Sequence, residues 1–350
     1  MIMKNRNLLL TPLALSLLSL TACSHGDTRS FDAQAHRGGR GLMPENTIAS
    51  EKNAIDYNCT LEMDLQMSKD KKIVVSHDAY FSSQFCLTPE GDTLTPKDGY
   101  SRLIYDMPYD SVIRYDVGMK PHPEFPRQKK MHAIKPLLTV LIDSVEAYAK
   151  TKNHVNHYNI ELKTNPKYDG KNYPGLDEYV DSAMAIITRK GIASRVMIQS
   201  FDVRALRIVH EKWPDIQTSY LVFADDKQPV EGYVKDLGFK PDIFSPNYEL
   251  VTAERVKQFH EQGIRVSPWT PDTVEEMQKL KDMGVDGEIT DYPDYYAELQ
   301  WSGRPGPAII RRLFTPSGAA RGDNPFSSAL RIARILHMYS EGGWTAELSG

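Results

Sequence analysis

A chain of 350 residues, 41% hydrophobic and 25% charged, has the make-up of a globular protein with room for one large domain or two ordinary ones. Its formal charge of −4 gives no support for nucleic-acid binding. An anionic small molecule stays open, because a metal ion or an arginine can set the field of a single site.

The chain begins with Lys4 and Arg6, followed by an apolar run from Leu8 to Leu20. That run is shorter than the roughly 20 apolar residues of a membrane-spanning helix. A basic start, a short apolar stretch and small residues at its end read as a secretory leader, residues 1–22. Leu20-Thr21-Ala22-Cys23 resembles the lipobox of bacterial lipoproteins. The resemblance implies cleavage before Cys23, a lipid anchor to the membrane on its thiol, and a linker over 23–31. The plainer reading is an ordinary leader followed by a chance cysteine. With an anchor, the expected location is the cell envelope, and Ser24 in place of Asp leans it towards the outer membrane. Cys59 and Cys86 then remain in an oxidising compartment, either bridged or as two half-buried free thiols.

From Asp32 the chain alternates short β-rich runs with helical patterns. Strands are predicted near Asp32–His36, Thr60–Gln66, Tyr158–Lys163, Arg195–Ser200, Thr218–Phe223, Asp242–Pro246, Ile264–Trp269 and Asp286–Thr290. Helices are predicted over Pro44–Asn58, Leu137–Lys150, Leu176–Lys190, Asp202–Glu211, Glu231–Leu237, Thr252–Gln262 and Thr273–Met283. Pro44 suits a first helical turn and Glu45 suits the positive end of the helix dipole. Eight βα units over residues 32–302 predict an α/β fold, a closed (β/α)8 TIM barrel. Lys72–Ser76 follows the second strand too closely for a helical crossover and reads as its hairpin partner. Residues 79–135, rich in Pro, Tyr, Asp and Gly, read as a long insertion on the loop that carries His77, where such loops shape a site. The extension 303–350 changes character: its cations are Arg304, Arg311, Arg312, Arg321, Arg331 and Arg334, with no lysine. It is expected to lie outside the barrel and to be poorly ordered.

Chemistry concentrates at strand ends. Glu62 and Asp64, two apart on a strand, share a face, while Leu61, Met63 and Leu65 share the other. Two neighbouring carboxylates need a cation between them, and inside a barrel they cannot be left to solvent. Glu161 adds a third on another apolar strand. Three oxygen ligands favour one hard divalent cation, Ca²⁺ or Mg²⁺, over Zn²⁺. His36 and His77 each end a strand-like run and each is followed by a charged residue. One histidine is more often structural than catalytic, but a pair suits phosphodiester cleavage, which needs a proton taken from the attacking oxygen and one given to the leaving oxygen. Arg37 and Lys163 could neutralise phosphoryl oxygens.

These strings occur together with Pro44-Glu45-Asn46-Thr47, Gln199-Ser200-Phe201, Trp269-Thr270 and Gly287-Glu288-Ile289-Thr290-Asp291-Tyr292-Pro293, in an order that resembles the glycerophosphodiester phosphodiesterases over residues 32–300. Tyr115-Asp116-Val117-Gly118 and Phe125-Pro126 resemble the periplasmic and secreted branch. The resemblance implies a barrel that hydrolyses a small-molecule glycerophosphodiester substrate to glycerol 3-phosphate and an alcohol. It also implies metal ligands at Glu62, Asp64 and Glu161, acid–base roles for His36 and His77, and phosphate or carboxylate contacts for Arg37 and Lys163. Trp269 falls on an aromatic wall against the glycerol, Glu45 on a helix-start position behind the ligands, and Gln199 and Phe201 on the barrel mouth. Glu288 departs from the family, which has an apolar residue there; it either points outward or brings another carboxylate to the site. Two other readings remain: a surface lipoprotein that keeps the barrel as a binding module, and a sphingomyelinase-D-like phospholipase on the same barrel.

Overall fold

The computed structural model describes residues 31–300. The leader, Cys23, the linker before Phe31 and the 303–350 extension lie outside the described residues. Strand β1 (Asp32–Ala35) is followed by α1 (Ile48–Asp56), β2 (Thr60–Met67) and β3 (Ile73–Val75). Two short helices, α2 (Pro96–Tyr100) and α3 (Tyr109–Val112), precede α4 (Leu138–Thr151). Strands and helices then alternate: β4 (Tyr158–Leu162), α5 (Leu176–Arg189), β5 (Val196–Ser200), α6 (Val203–Lys212), β6 (Gln217–Val222) and α7 (Val230–Leu237). The series ends with β7 (Ile243–Pro246), α8 (Ala253–Glu261), β8 (Arg265–Val266), α9 (Val274–Asp282) and β9 (Gly287–Thr290).

The parallel strands run in the order β8-β7-β6-β5-β4-β2-β1-β9. The ring closes where the Asp286 N–H donates to Val266 O (2.8 Å) and the Ile289 N–H to Pro268 O (2.9 Å). This is the expected TIM barrel, with β3 paired antiparallel to β2 as a hairpin. The expected strand Ile264–Trp269 shortens to Arg265–Val266, because Pro268 has no N–H to continue the ladder. The Trp269 N–H still reaches Pro246 O at 3.0 Å.

Side chains sort by strand alternation. Leu61, Met63, Leu65, Ile160, Leu162 and Ile198 join the apolar layer under the helices. The other face is polar. Asn159 donates to Gln34 (2.7 Å) and to Gln199 (3.0 Å), and Gln199 donates to Glu62 (2.7 Å). Gln199 on β5 reaches Glu62 on β2 past the intervening β4, which only inward-facing residues can do. A barrel interior commonly filled with branched apolar side chains carries an amide ladder here.

Helix α1 begins at Ile48, not Pro44, with Thr47 and Ser50 forming a reciprocal cap. Pro44, Glu45 and Asn46 precede it as irregular chain, because Asn46 takes a left-handed backbone (φ 56°) that no helix accommodates. The insertion is better organised than its weak periodicity suggests. Phe81, Phe85, Cys86, Leu94, Ile104, Val112 and Tyr115 form a second small core with Val74 of β3. Its exit is stitched to β3, where the Val75 N–H donates to Pro136 O at 2.8 Å. Cys59 and Cys86 are not bridged: Cys59 packs in the main core and Cys86 in the insertion core, both buried and free. Burial raises both thiols, Cys86 to about 12, so neither is a ready nucleophile. Among the described residues no helix is long and apolar enough to cross a membrane.

Glu288 resolves to the outward reading. On β9 its neighbour Ile289 pairs inward beside Gln34 and Trp269, and Glu288 lies fully buried on the helix side. Neither carboxyl oxygen has a hydrogen-bond partner among the described residues, and burial raises its pKa well above the ordinary 4.5. A folded-state pKa raised above the unfolded one means the unfolded chain releases its proton first as pH rises, so folding loses stability above pH 4.5. Glu288→Leu is therefore expected to be more stable at pH 7 by about 1–3 kcal/mol, with the gain shrinking as pH falls below 4.5. Urea titrations at pH 7 and pH 4 measure this; a gain that is absent, or equal at both pH values, contradicts the assignment.

Candidate active site

Residues at the carboxyl ends of the strands line a cavity of about 850 Å³, among them His36, Arg37, Glu62, His77, Glu161, Lys163, Gln199, Phe201 and Trp269. That end is where barrel enzymes place their chemistry. A second cavity of about 640 Å³ opens among the strand starts, lined by Asp32, Thr60, Met197 and Arg265, and holds none of the candidate residues.

Glu62 and Asp64 on β2 and Glu161 on β4 bring a carboxylate oxygen each within 4.8 Å of one another, all buried. The register sets this, since Asp64 pairs with Glu161 across the ladder. Burial and the nearby Asp64 raise Glu62 well above the carboxylate range. Burial raises Glu161 to about 7, with Asp64 adding to it and Lys163 opposing. Asp64 goes the other way: against burial, Lys163, His77 and Arg37 hold it ionised. Among the described residues its Oδ1 is buried without a hydrogen-bond partner. Mutual repulsion, an unsatisfied inward oxygen and an all-oxygen donor set fit a hard divalent cation.

The surrounding residues hold these carboxylates in place. Asn46 donates to Asp64 Oδ2 (2.8 Å) and accepts from the Asp64 N–H (3.0 Å). Its positive φ is what turns the amide to β2. The Arg37 N–H donates to Glu62 Oε2 (2.6 Å) while Gln199 holds Oε1. Arg37 itself is left-handed (φ 51°), and Gly38 follows at φ 78°, where a Cβ would sit 2.5 Å from Ser50. The Arg37 guanidinium forks onto both oxygens of Glu45 (3.1 and 3.2 Å) and lies 3.4 Å from Asp64. Glu45 therefore braces Arg37 rather than opening the helix. Lys163 contacts Glu161 (2.9 Å) and Asp64 (3.6 Å).

Each histidine is oriented by a carboxylate. His36 Nδ1 lies 2.5 Å from Asp291, whose Oδ1 also accepts from Arg40 Nε (2.8 Å). Burial lowers His36 to about 4, outweighing Asp291. Against burial, His36 and Arg40 keep Asp291 ionised. His77 Nδ1 lies 2.8 Å from Asp78, and burial, then Arg37 and Lys163, lower its pKa. Its backbone is pinned as well: the His77 carbonyl accepts from Gln66 (2.8 Å), and Ser76 Oγ links the buried Lys135 (2.7 Å) to the Asp78 carbonyl (2.7 Å). Trp269 Nε1 donates to Ser245 O (3.0 Å), and its ring stands edge-on to Phe201 at 5.5 Å.

The structure thus gathers every predicted site residue within the described chain: His36, His77, Arg37, Lys163, Trp269, Glu62, Asp64, Glu161, Glu45, Gln199 and Phe201. Sequence reasoning assigned no role to Asn46, Asp291, Asp78, Arg40 or Lys135. Asp291 stands directly after the last barrel strand, and its adjacency to a charged string was the available signal. Lys135 gave none, as its partner is set only by the folding of the insertion.

The family model for the glycerophosphoryl diester phosphodiesterase family matches residues 36–295. The chain belongs to this family. As a glycerophosphoryl diester phosphodiesterase it is an enzyme, a phosphoric diester hydrolase. A glycerophosphodiester phosphodiesterase of Bacillus subtilis (strain 168) is 28% identical over 310 residues, covering 85% of this chain and 98% of its own length. One from Caldanaerobacter subterraneus subsp. tengcongensis is 28% identical and covers 76% of this chain and 96% of its own. Among solved structures, a provisionally assigned glycerophosphoryl diester phosphodiesterase from Silicibacter pomeroyi DSS-3 superposes with a TM-score of 0.69 at 26% identity, covering 78% of this chain and 96% of that one. A phosphodiesterase from Oleispira antarctica, solved with sn-glycerol-3-phosphate, shares the fold at TM-score 0.59 and 23% identity, over 75% of this chain and 93% of its own.

For this phosphodiesterase the amide clamp on Asp64 is testable without backbone strain. Asn46→Gly accepts the positive φ and removes only the side chain. It is expected to weaken Ca²⁺ or Mg²⁺ binding about 10–100-fold in calorimetry. Unchanged affinity for both ions removes Asn46 from the support of the ligand set.

Proposed function

We propose that the enzyme hydrolyses glycerophosphodiesters to sn-glycerol 3-phosphate and an alcohol, with a divalent cation held by Glu62, Asp64 and Glu161 and with His36 and His77 as the proton-handling pair. The observation that carries this reading is the convergence of two carboxylate-oriented histidines on one buried cluster of three carboxylates. The product seen in the Oleispira antarctica relative supports the same substrate class.

A divalent cation at the cluster would polarise a phosphoryl oxygen and offset the charge that develops on it. The chain's own residues do the rest. Arg37 and Lys163 place two positive charges beside the three carboxylates, and a bound cation would add two more, offsetting the carboxylate charge where a phosphodiester anion must approach. His36 is the base. Its low pKa keeps it neutral, and with its Nδ1–H donated to Asp291, its Nε2 lone pair is free to take a proton. The attacking oxygen, from water or the glycerol 2-hydroxyl, gives up its proton to Nε2 as it bonds to phosphorus. His77 is the acid. Its side chain is 32% exposed against 13% for His36, and the negative charge of a bound phosphodiester raises its proton affinity. As the phosphorus–oxygen bond to the leaving group breaks, His77 protonates the alkoxide. The leader and the Leu20–Cys23 string support an envelope enzyme tethered to the membrane by a lipid on Cys23.

Release of sn-glycerol 3-phosphate from glycerophosphocholine tests the reading. EDTA is expected to stop it and either Ca²⁺ or Mg²⁺ to restore it. His36→Ala and His77→Ala should each lower kcat by about 10²–10⁴ with the fold intact by circular dichroism. Near-normal turnover in either variant ends its acid–base role, and EDTA-resistant turnover ends the metal role. At saturating cation, the acid limb of kcat/KM is expected well below the ordinary histidine value of 6.5, nearer 4, with activity rising through it as His36 loses its proton. A limb at or above 6.5 contradicts the assignment of His36 as the base.

A further inference from the structure

Two long cationic side chains are buried among the described residues, Arg37 and Lys135. Arg37 is paired with Glu45 and Asp64. Lys135 has no such partner: no carboxylate among the described residues pairs with its ammonium. Its Nζ donates to Ser76 Oγ (2.7 Å) and otherwise faces the rings of Phe81 and Phe85, 5.6 and 6.0 Å from their centroids. Ring faces attract a cation but do not neutralise it. A buried charge without a counterion is costly, and packing alone would favour an apolar side chain here, as in the rest of the insertion core around Phe81 and Phe85.

The ammonium acts on the pair beside it. Ser76, itself buried, accepts from Lys135 and donates to the Asp78 carbonyl (2.7 Å), so its hydroxyl is fixed on both sides. The Asp78 carboxylate lies 2.8 Å from His77 Nδ1. Against burial, His77 and then Lys135 and Arg37 hold Asp78 below the ordinary carboxylate value. Lys135 thus reaches Asp78 in two ways: the bond through Ser76 fixes the backbone, and the charge favours the ionised carboxylate. An ionised carboxylate in a fixed place keeps the proton on Nδ1 of His77 and turns Nε2 to the cavity.

We infer that Lys135 is a positioning residue for departure of the alcohol: through Ser76 and Asp78 it holds His77 in the orientation that delivers a proton to the leaving oxygen. The inference rests on the hydrolase reading above, with His77 as the acid. In the step it serves, the phosphorus–oxygen bond to the headgroup breaks and its electron pair stays on the oxygen. The proton on His77 Nε2 passes to that oxygen and leaves a neutral imidazole. An alcohol that departs as a stable anion has no use for this proton.

Two diesters of glycerol 3-phosphate separate this role from a general one. Glycerophosphocholine releases an alkoxide that must be protonated; the 4-nitrophenyl ester releases an anion that leaves without a proton. Single-turnover rates are compared at saturating Ca²⁺ or Mg²⁺. Lys135→Met nearly keeps the volume and removes the charge, and Ser76→Ala cuts the bridge with a smaller change. In each, the rate with the choline diester should fall at least about tenfold more than the rate with the nitrophenyl diester. In the His77→Ala background, Lys135→Met should cost less than about twofold on either. An equal fall on both esters in both variants, no fall on the choline ester, or a full further loss in the His77→Ala background overturns the inference. His77→Ala alone reads the parent assignment: an equal fall on both esters ends its acid role and this inference with it. A selective fall there, with equal falls in the other two variants, ends only the inference. If neither ester turns over with either ion, the hydrolase reading fails and the His77 tautomer, read by nitrogen-15 NMR, decides. An Nδ1–H form that gives way to a mixture in Lys135→Met supports the positioning role, and the same tautomer in both proteins overturns it.

Discussion

Three carboxylates on the inner faces of two adjacent strands, with oxygens within 4.8 Å of one another, make an arrangement that like charges oppose. Burial sharpens the opposition, because water no longer screens it. Much of the surrounding structure serves to offset it. Arg37 presents its backbone N–H to Glu62 and its guanidinium to Asp64. Lys163 leans on Glu161, and Asn46 grips Asp64 at two points. Below, the amides of Gln34, Asn159 and Gln199 replace apolar filling, so that Glu62 receives a donor from a strand it does not adjoin. The left-handed backbone at Arg37 and Asn46 follows from the same need, since each bends the chain to aim a donor inward.

In the proposed mechanism the two histidines take two roles from one residue type. His36 is enclosed and tied to Asp291, which is itself tied to Arg40 and donates its backbone N–H to Asp272 Oδ1. His77 stands nearer the opening and leans on its own neighbour, Asp78. Burial lowers both, but the more open ring is the one that a bound anion can recharge. In that proposal environment rather than residue type separates base from acid.

Alternation of strand-like and helix-like runs made the barrel legible in the sequence, since periodicity is a local signal. The two-residue spacing of Glu62 and Asp64 was legible for the same reason, because the alternation of faces along a strand belongs to the backbone itself. Local signals failed where the controlling partner is distant. Pro44 and Glu45 look like a helix start, yet the pull of Asp64 on Asn46 delays the helix to Ile48. Cys59 and Cys86 pair well as residue types, but they fold into different cores. Glu288 could not be placed from its own sequence, because the face of β9 that looks into the barrel depends on its register with β1. The insertion has no period to read, and its order comes from a core assembled out of turns.

That insertion leaves and rejoins the barrel at one spot. Val74 is bridged to Leu137, the Val75 N–H bonds to Pro136 O, and Lys135 reaches back to Ser76. With its ends already side by side, the excursion between them closes a loop whose entropic cost grows only slowly with length. It is therefore a cassette: its interior can lengthen, shorten or change composition while the staple at its base keeps His77 in position. The side chains it turns towards the cavities, Ser82, Tyr100 and Leu103, can change without disturbing the carboxylates and histidines at the strand ends.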